Sequence, residues 1–311
     1  MAGVVLVVGV GLGAAGCGKY SPGSLMATKA FKDANAKYAA QDWKDAVAKY
    51  EEALKNDPNY NAAHFYLANS YDNMYKPARK GEAQNDSYIQ KAIEHYKIAA
   101  EKDPVPATRK LALQYLVAAY GPEKLSDPGQ AEPIVKRMVE LEPNDPTNYF
   151  GLSKLYEDAG RYDEAEQALL KARDIKPNDP LVYTTLSGYY NRQGDFQKTI
   201  DNLEKAAELD PKNPQGFHLI ATFFEEKVRK DFRLSPAEKK DYSLKGIAAE
   251  DKALALNPGY VDAMIVKNIL LRHEANAETK DPAKQKELIK EADELRAKAI
   301  SIQKGAKAAV G

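Results

Sequence analysis

Residues 147–179 read TNYFGLSKLYEDAGRYDEAEQALLKARDIKPND, and residues 181–213 read LVYTTLSGYYNRQGDFQKTIDNLEKAAELDPKN. Aligned, the two stretches repeat their chemistry 34 residues apart. Tyr149, Leu152, Ser153, Tyr156, Gly160, Tyr162, Ala165, Leu169, Ala172 and Pro177 recur as Tyr183, Leu186, Ser187, Tyr190, Gly194, Phe196, Thr199, Leu203, Ala206 and Pro211. Apolar side chains at three- and four-residue steps mark one helix face, and the glycine divides each unit into two helices. Small residues, Ser153 with Ala165 and Ser187 with Thr199, fall where those helices would cross. The closing proline stops the second helix and begins the link to the next unit. One such pair cannot bury its apolar face alone, so neighbours must stack.

The pattern extends in both directions. ANAKYAAQDWKDAVAKYEEALKNDPN carries it through Asn35, Tyr38, Trp43, Ala46, Tyr50, Ala53 and Pro58. AAHFYLANSYDN and SYIQKAIEHYKIAAEKDP form a second unit closing at Pro104, with MYKPARKGEAQND between them. A third closes at Pro143 with GPEKLSDPGQ as an enlarged turn, and a sixth runs from PQGFHLIATFFEE to Pro258 with the insertion KVRKDFRLSPAEKK. Successive prolines are 46, 39, 34, 34 and 47 residues apart, and the excess over 34 falls between paired helices. GYVDAMIVKNILLRHEANAETK predicts a seventh first helix. Asp281-Pro282 then starts the charged AKQKELIKEADELRAKAISIQK, with aspartate as cap and proline at the first helical position. Asp127-Pro128 is a similar start, and Ser235-Pro236-Ala237-Glu238 spells a capping box. These residues together resemble the tetratricopeptide repeat. The resemblance implies an all-α tetratricopeptide-repeat solenoid of about seven helix pairs with a long C-terminal capping helix. Its repeats span 27–60, 61–106, 107–145, 146–179, 180–213 and 214–260, a seventh starts at 261–275, and residues 276–311 form the capping helix and tail.

At the N-terminus, VVLVVGVGLGAAGCG (residues 4–18) contains Gly11-x-Gly13-x-x-Gly16, the glycine spacing of a dinucleotide-binding turn. That motif needs a helix opening on the turn and a second strand beyond it. Here CGKYSPGSL follows, with Pro22 and Gly23 where the helix should run. The apolar run also falls short of the ~20 residues that span a bilayer. Ala14-Ala15-Gly16-Cys17 instead resembles the lipobox of bacterial lipoproteins, in which a cysteine after small residues becomes the acylated N-terminus. By that resemblance residues 1–16 are a signal peptide cut after Gly16, Cys17 carries the lipid, and 17–26 are a tether. Gly18 stands where an aspartate would favour the inner membrane, which points to a periplasm-facing protein of the outer membrane.

Composition narrows the function. Lysine plus arginine number 45 and so do aspartate plus glutamate, so no basic excess exists to hold a nucleic-acid backbone. The single cysteine excludes an internal disulfide and a multi-cysteine zinc site. None of His64, His95, His218 and His273 pairs with another at metal-ligand spacing on one helix. His64 and His218 fall near the starts of first helices, where an aromatic or surface role is expected. H-E-x-x-H, G-x-S-x-G and a G-x-x-x-x-G-K followed by serine or threonine are all missing from the sequence. We therefore expect no catalytic residues, metal, cofactor or small-molecule substrate.

The resemblance places function on the inward face of the first helices, at Asn35, Phe65, Tyr66, Asn69, Phe150, Lys154, Asn191, Arg192, His218 and Thr222. Aromatic, amide and cationic groups there suit an extended peptide or a partner helix. A co-chaperone carboxylate clamp is not expected. Asn35 matches it, but Phe31, Tyr66, Thr108 and Ala112 stand where its other residues would be. The sequence thus predicts a non-catalytic, lipid-anchored interaction scaffold of the bacterial envelope. The alternative is a soluble cytoplasmic adaptor, co-chaperone-like but without the clamp.

Overall fold

The structure, a computed structural model, describes residues 21–277 and 281–308. The signal-peptide reading and Cys17 lie outside the described residues. The chain divides into two compact units, Met1–Glu142 and Pro143–Gly311. The first contains α1 (Pro22–Ala39), α2 (Trp43–Asn56), α3 (Ala62–Met74), α4 (Ala83–Lys102), α5 (Pro106–Tyr120) and α6 (Pro128–Leu141), with a single 3₁₀ turn at Pro77–Arg79. The second contains α7 (Pro146–Asp158), α8 (Tyr162–Ile175), α9 (Pro180–Arg192), α10 (Phe196–Leu209), α11 (Pro214–Lys230), α12 (Pro236–Leu256), α13 (Val261–Ala277) and α14 (Pro282–Ala308). Every regular element among the described residues is helical, and within each unit successive helices pack on one another.

Local chemistry sets the boundaries. Asp145, Asp179 and Asn213 cap α7, α9 and α11 through side chains that accept from the backbone amides of Thr147, Leu181 and Gln215. The residue after each cap is proline, whose fixed φ suits the first helical position. Between paired helices, Gly160 and Gly194 have φ of 73° and 78°, a left-handed conformation that glycine adopts without a Cβ clash. Gln41 takes the same place between α1 and α2 with φ of 58°. Ser235 and Glu238 close both halves of the capping box at the start of α12. Asp127 and Asp281 cap α6 and α14 as expected.

The insertions depart from expectation. The insertion of the sixth repeat is mostly helical: α12 begins at Pro236 as its capping box predicts, but α11 continues to Lys230, leaving only residues 231–235 of KVRKDFRLSPAEKK outside a helix. Lys227 to Lys230 contain no breaker, so nothing stops α11 before Asp231. Likewise α4 starts at Ala83, inside the insertion of the second repeat.

Packing follows the small residues. Twelve residues before each closing proline stand Ala46, Ala92, Ala131, Ala165, Thr199 and Gly246, all buried. Ala34, Ala68, Ala112, Ser153, Ser187 and Ala221 on the matching first helices are buried too. Backbones can approach closely at each crossing because neither helix brings bulk to it. In the second unit one cluster joins Ile200, Leu203, Ile220, Ala221, Phe224, Ala249 and Leu270. Another seats α14 through Leu288 and Ala292 against Leu271 and Ala275.

Candidate functional site

In the first unit the first helices are crowded by rings. Tyr66 is half-buried, its ring centroid 6.0 Å from Phe31, 5.5 Å from Tyr38 and 6.1 Å from Tyr50. Phe65 was expected on the inward face but is only 4% exposed, packed against Tyr96 and Tyr115, and belongs to the core. Asn69 was expected there too, yet it is 5% exposed and its amide is engaged. It accepts from Tyr38 Oη at 2.7 Å and donates to Tyr96 Oη at 3.1 Å. Tyr96 Oη donates in turn to Asp72, which Lys124 neutralises. Burial pushes the Tyr38 hydroxyl up to about 12 and Tyr96 well above its ordinary value, so both remain donors at neutral pH. Asn35, half-buried, spends its carbonyl on the Tyr50 hydroxyl at 2.7 Å. Together these bonds tie Asn35, Asn69 and Tyr96 into the packing of α1 to α4.

The second unit is different. Lys154, Asn191 and Arg192 are exposed on α7 and α9, and Phe150 is half-buried. The charges answer one another: Lys154 pairs with Asp158, Arg192 with Glu157 at 2.6 Å, and Arg229 with Glu225 at 2.9 Å. Between them stand exposed Leu181 and Thr184 on α9, with Asp262, Ile265 and Ile269 on α13. Half-buried Thr222 donates to the backbone carbonyl of His218. This face is therefore partly apolar, with the Asp262 carboxylate in the first turn of α13.

His218 does more than stack. Its Nδ1 lies 2.8 Å from Glu250 Oε1, and its ring centroid is 4.9 Å from that of Tyr260. Glu250 is fully buried, its other oxygen has no partner among the described residues, and burial pushes its carboxyl up to about 7. Eight residues before the closing proline, the other repeats hold Tyr50, Tyr96, Val135, Leu169 and Leu203; the sixth holds Glu250. Nothing adjacent in the chain distinguishes Glu250 from the many other helical carboxylates. The repeat register carried the signal, since an acid at an oil-facing position demands a partner. His64 is also not at the surface: its Nδ1 faces His95 Nδ1 at 2.9 Å across α3 and α4, with both rings stacked.

Tetratricopeptide-repeat family models match residues 31–72, 124–187 and 181–213. No curated protein matches the chain. Among solved structures, the C-terminal part of a TPR repeat-containing protein from Cytophaga hutchinsonii is 18% identical with a TM-score of 0.57, over 88% of this chain and 98% of that one. MamA, residue 41 to the end, from Desulfovibrio magneticus RS-1 is 16% identical with a TM-score of 0.45, over 60% of this chain and 96% of that one. YrrB, described as a TPR protein with an unusual peptide-binding site, is 20% identical with a TM-score of 0.42, over 62% and 91%. The first of these likenesses shows a shared fold.

Proposed function

We propose, from the premise that this chain carries tetratricopeptide repeats in an all-α solenoid fold, that it is a non-catalytic protein-interaction scaffold whose partner segment lies on the first-helix face of α7, α9, α11 and α13. The observation carrying this reading is the run of exposed apolar side chains on that face. Lys154, Arg192 and Glu225 are each answered by a neighbour, leaving Leu181, Thr184, Thr222, Ile265 and Ile269 to meet the partner. An amphipathic helix or extended peptide can lay an apolar edge against those residues. Photo-crosslinking from the Lys154 position in membranes should yield adducts that the same probe at Lys171, on α8, does not. Identical adducts from both positions, or none from either, would sink the reading.

The finer proposal is that the scaffold is held in the bacterial envelope by acyl chains on Cys17, facing the periplasm. The flanking small residues and the lone cysteine support it. Two or more acyl chains, at about 0.8 kcal/mol per buried methylene, hold a protein stably on a membrane. Radiolabelled palmitate should enter the wild type and not Cys17→Ser. If both stay unlabelled and soluble, the cytoplasmic adaptor takes its place.

A further inference from the structure

Residues 231–235 link α11 to α12 beside the turn between α9 and α10, and an open cleft of about 430 Å³ lies between the two connections. Phe196 and Phe223 wall the cleft, and Phe232 stands at its edge 87% exposed. With Phe196 and Phe223 the bare ring makes a contiguous aromatic patch, and such patches mark surfaces that meet something else. The other short helix-to-helix turns of this unit, at Gly160 and Gly194, carry no large apolar side chain at their tips.

The charges around the cleft are layered. Arg233, Lys230 and Arg229 are 80%, 61% and 51% exposed, whereas their partners Asp231, Glu226 and Glu225 are 14%, 39% and 9% exposed. Each cation thus stands outside the acid it pairs with. Arg233 and Lys227 together hold the Asp231 carboxyl well below the usual carboxylate range, so it stays ionised beneath them. Lys227 also lies over the Phe196 ring at 5.2 Å. An approaching molecule meets cations and aromatic rings first, although the chain as a whole is neutral.

We infer that the α11–α12 loop and the α9–α10 turn form a second docking site, which adjoins the first-helix face at Asn191 and takes an acidic peptide segment carrying one large apolar side chain. That side chain enters between Phe196, Phe223 and Phe232, while flanking carboxylates meet Lys230 and Arg233. Aromatic and arginine anchors around a cleft are the groups that carry binding energy in such contacts, and the layered charge selects acidic partners. An anionic membrane would also attract cations and a bare phenylalanine, but it would have no use for a walled cleft that receives a side chain.

The full chain bearing Cys17→Ser, which removes any acyl anchor, tests the site. A phage-displayed random dodecapeptide library selected on this protein should enrich clones with aspartate or glutamate flanking an aromatic or large aliphatic residue. A synthetic peptide of the enriched sequence should bind at least tenfold more weakly to Phe232→Ser and to Lys230→Glu/Arg233→Glu, and weaken steeply with salt. Leu181→Glu, on the first-helix face, should leave its affinity unchanged. Enrichment without acidic residues, or equal affinity for the wild type and Phe232→Ser, overturns the inference. So does a failure of any clone to enrich, or binding to phosphatidylglycerol vesicles in place of peptide.

Discussion

Two glycines inside helices of the second unit should respond oppositely to one methyl group. Gly246 lies within α12, where an added Cβ would stand 2.8 Å and 3.2 Å from the two Leu270 methyls and 3.2 Å from Phe224 Cβ. Ordinary carbon contacts fall at about 3.5–4.0 Å. Leu270 is fully buried and Phe224 nearly so, and neither can swing into solvent to make room. Gly188 lies within α9, where the same Cβ would meet only the Arg192 guanidinium at 3.4 Å, the far end of a long, exposed side chain. Alanine favours a helix interior over glycine by about 1 kcal/mol at either place, while overpacking a core costs roughly 1–3 kcal/mol. Gly188→Ala should therefore stabilise by about 0.5–1 kcal/mol. Gly246→Ala should destabilise by about 1 kcal/mol, because the packing term exceeds the propensity term. Urea unfolding followed by far-UV circular dichroism reads both. Leu270→Ala completes a cycle: alone it costs about 2–5 kcal/mol, and in the Gly246→Ala background the vacated space takes the methyl, so it should cost at least ~1 kcal/mol less. Equal stabilisation by both glycine substitutions, or additivity within about 0.3 kcal/mol, would refute the reasoning.

Other outcomes follow from the same packing. Ala165→Leu should overpack the fully buried crossing of α7 and α8 and cost roughly 1–3 kcal/mol; a denaturation midpoint unchanged from wild type would place the crossing elsewhere. Gln41→Gly should relieve a left-handed residue and stabilise by about 1 kcal/mol, read from the fluorescence of Trp43, the chain's one tryptophan, two positions away. Acid should weaken the first unit through its imidazole pair. Burial, then His95 and Lys102, hold His64 down to about 4, and burial lowers His95 as well, with Glu94 and Glu51 opposing and Lys91 assisting. An unfolded histidine titrates near 6.5, so between about 6.5 and 4 the unfolded chain binds more protons and stability rises with pH. It is complete above that window and falls by about 3 kcal/mol for His64 as pH drops through it. Glu250, raised to about 7, slopes the other way in the second unit. The check is thus the difference between wild type and His64→Gln in Trp43-monitored unfolding across pH; a flat difference would remove the pair from the account.

The fold was legible where chemistry is local. The 34-residue echo, the Asp-Pro starts and the Ser235–Glu238 box need only neighbours along the chain, and they locate α7 to α10 and the caps of α6, α12 and α14. Helix lengths in the sixth repeat were not legible by repeat spacing, because Lys227 to Lys230 and Pro236 onward continue helices that a 34-residue template would have ended. The candidate site was legible only in part. Lys154, Asn191 and Arg192 are exposed, but the fates of Phe65 and Asn69 were decided by Tyr96, Tyr115 and Tyr38, side chains 27 to 50 positions away that no single repeat displays. Burial of that kind belongs to a pair of helices and cannot be assigned to one.

Chains built of near-copies face a hazard during synthesis, when a nascent helix can anneal onto the wrong sibling. Tyr50, Leu169 or Leu203 would tolerate such a mistake, since one oily groove resembles the next. Glu250 would not: a carboxyl sealed away without its imidazole costs several kcal/mol. The sixth repeat therefore carries an address label, and α12 can come to rest comfortably only where His218 is waiting for it.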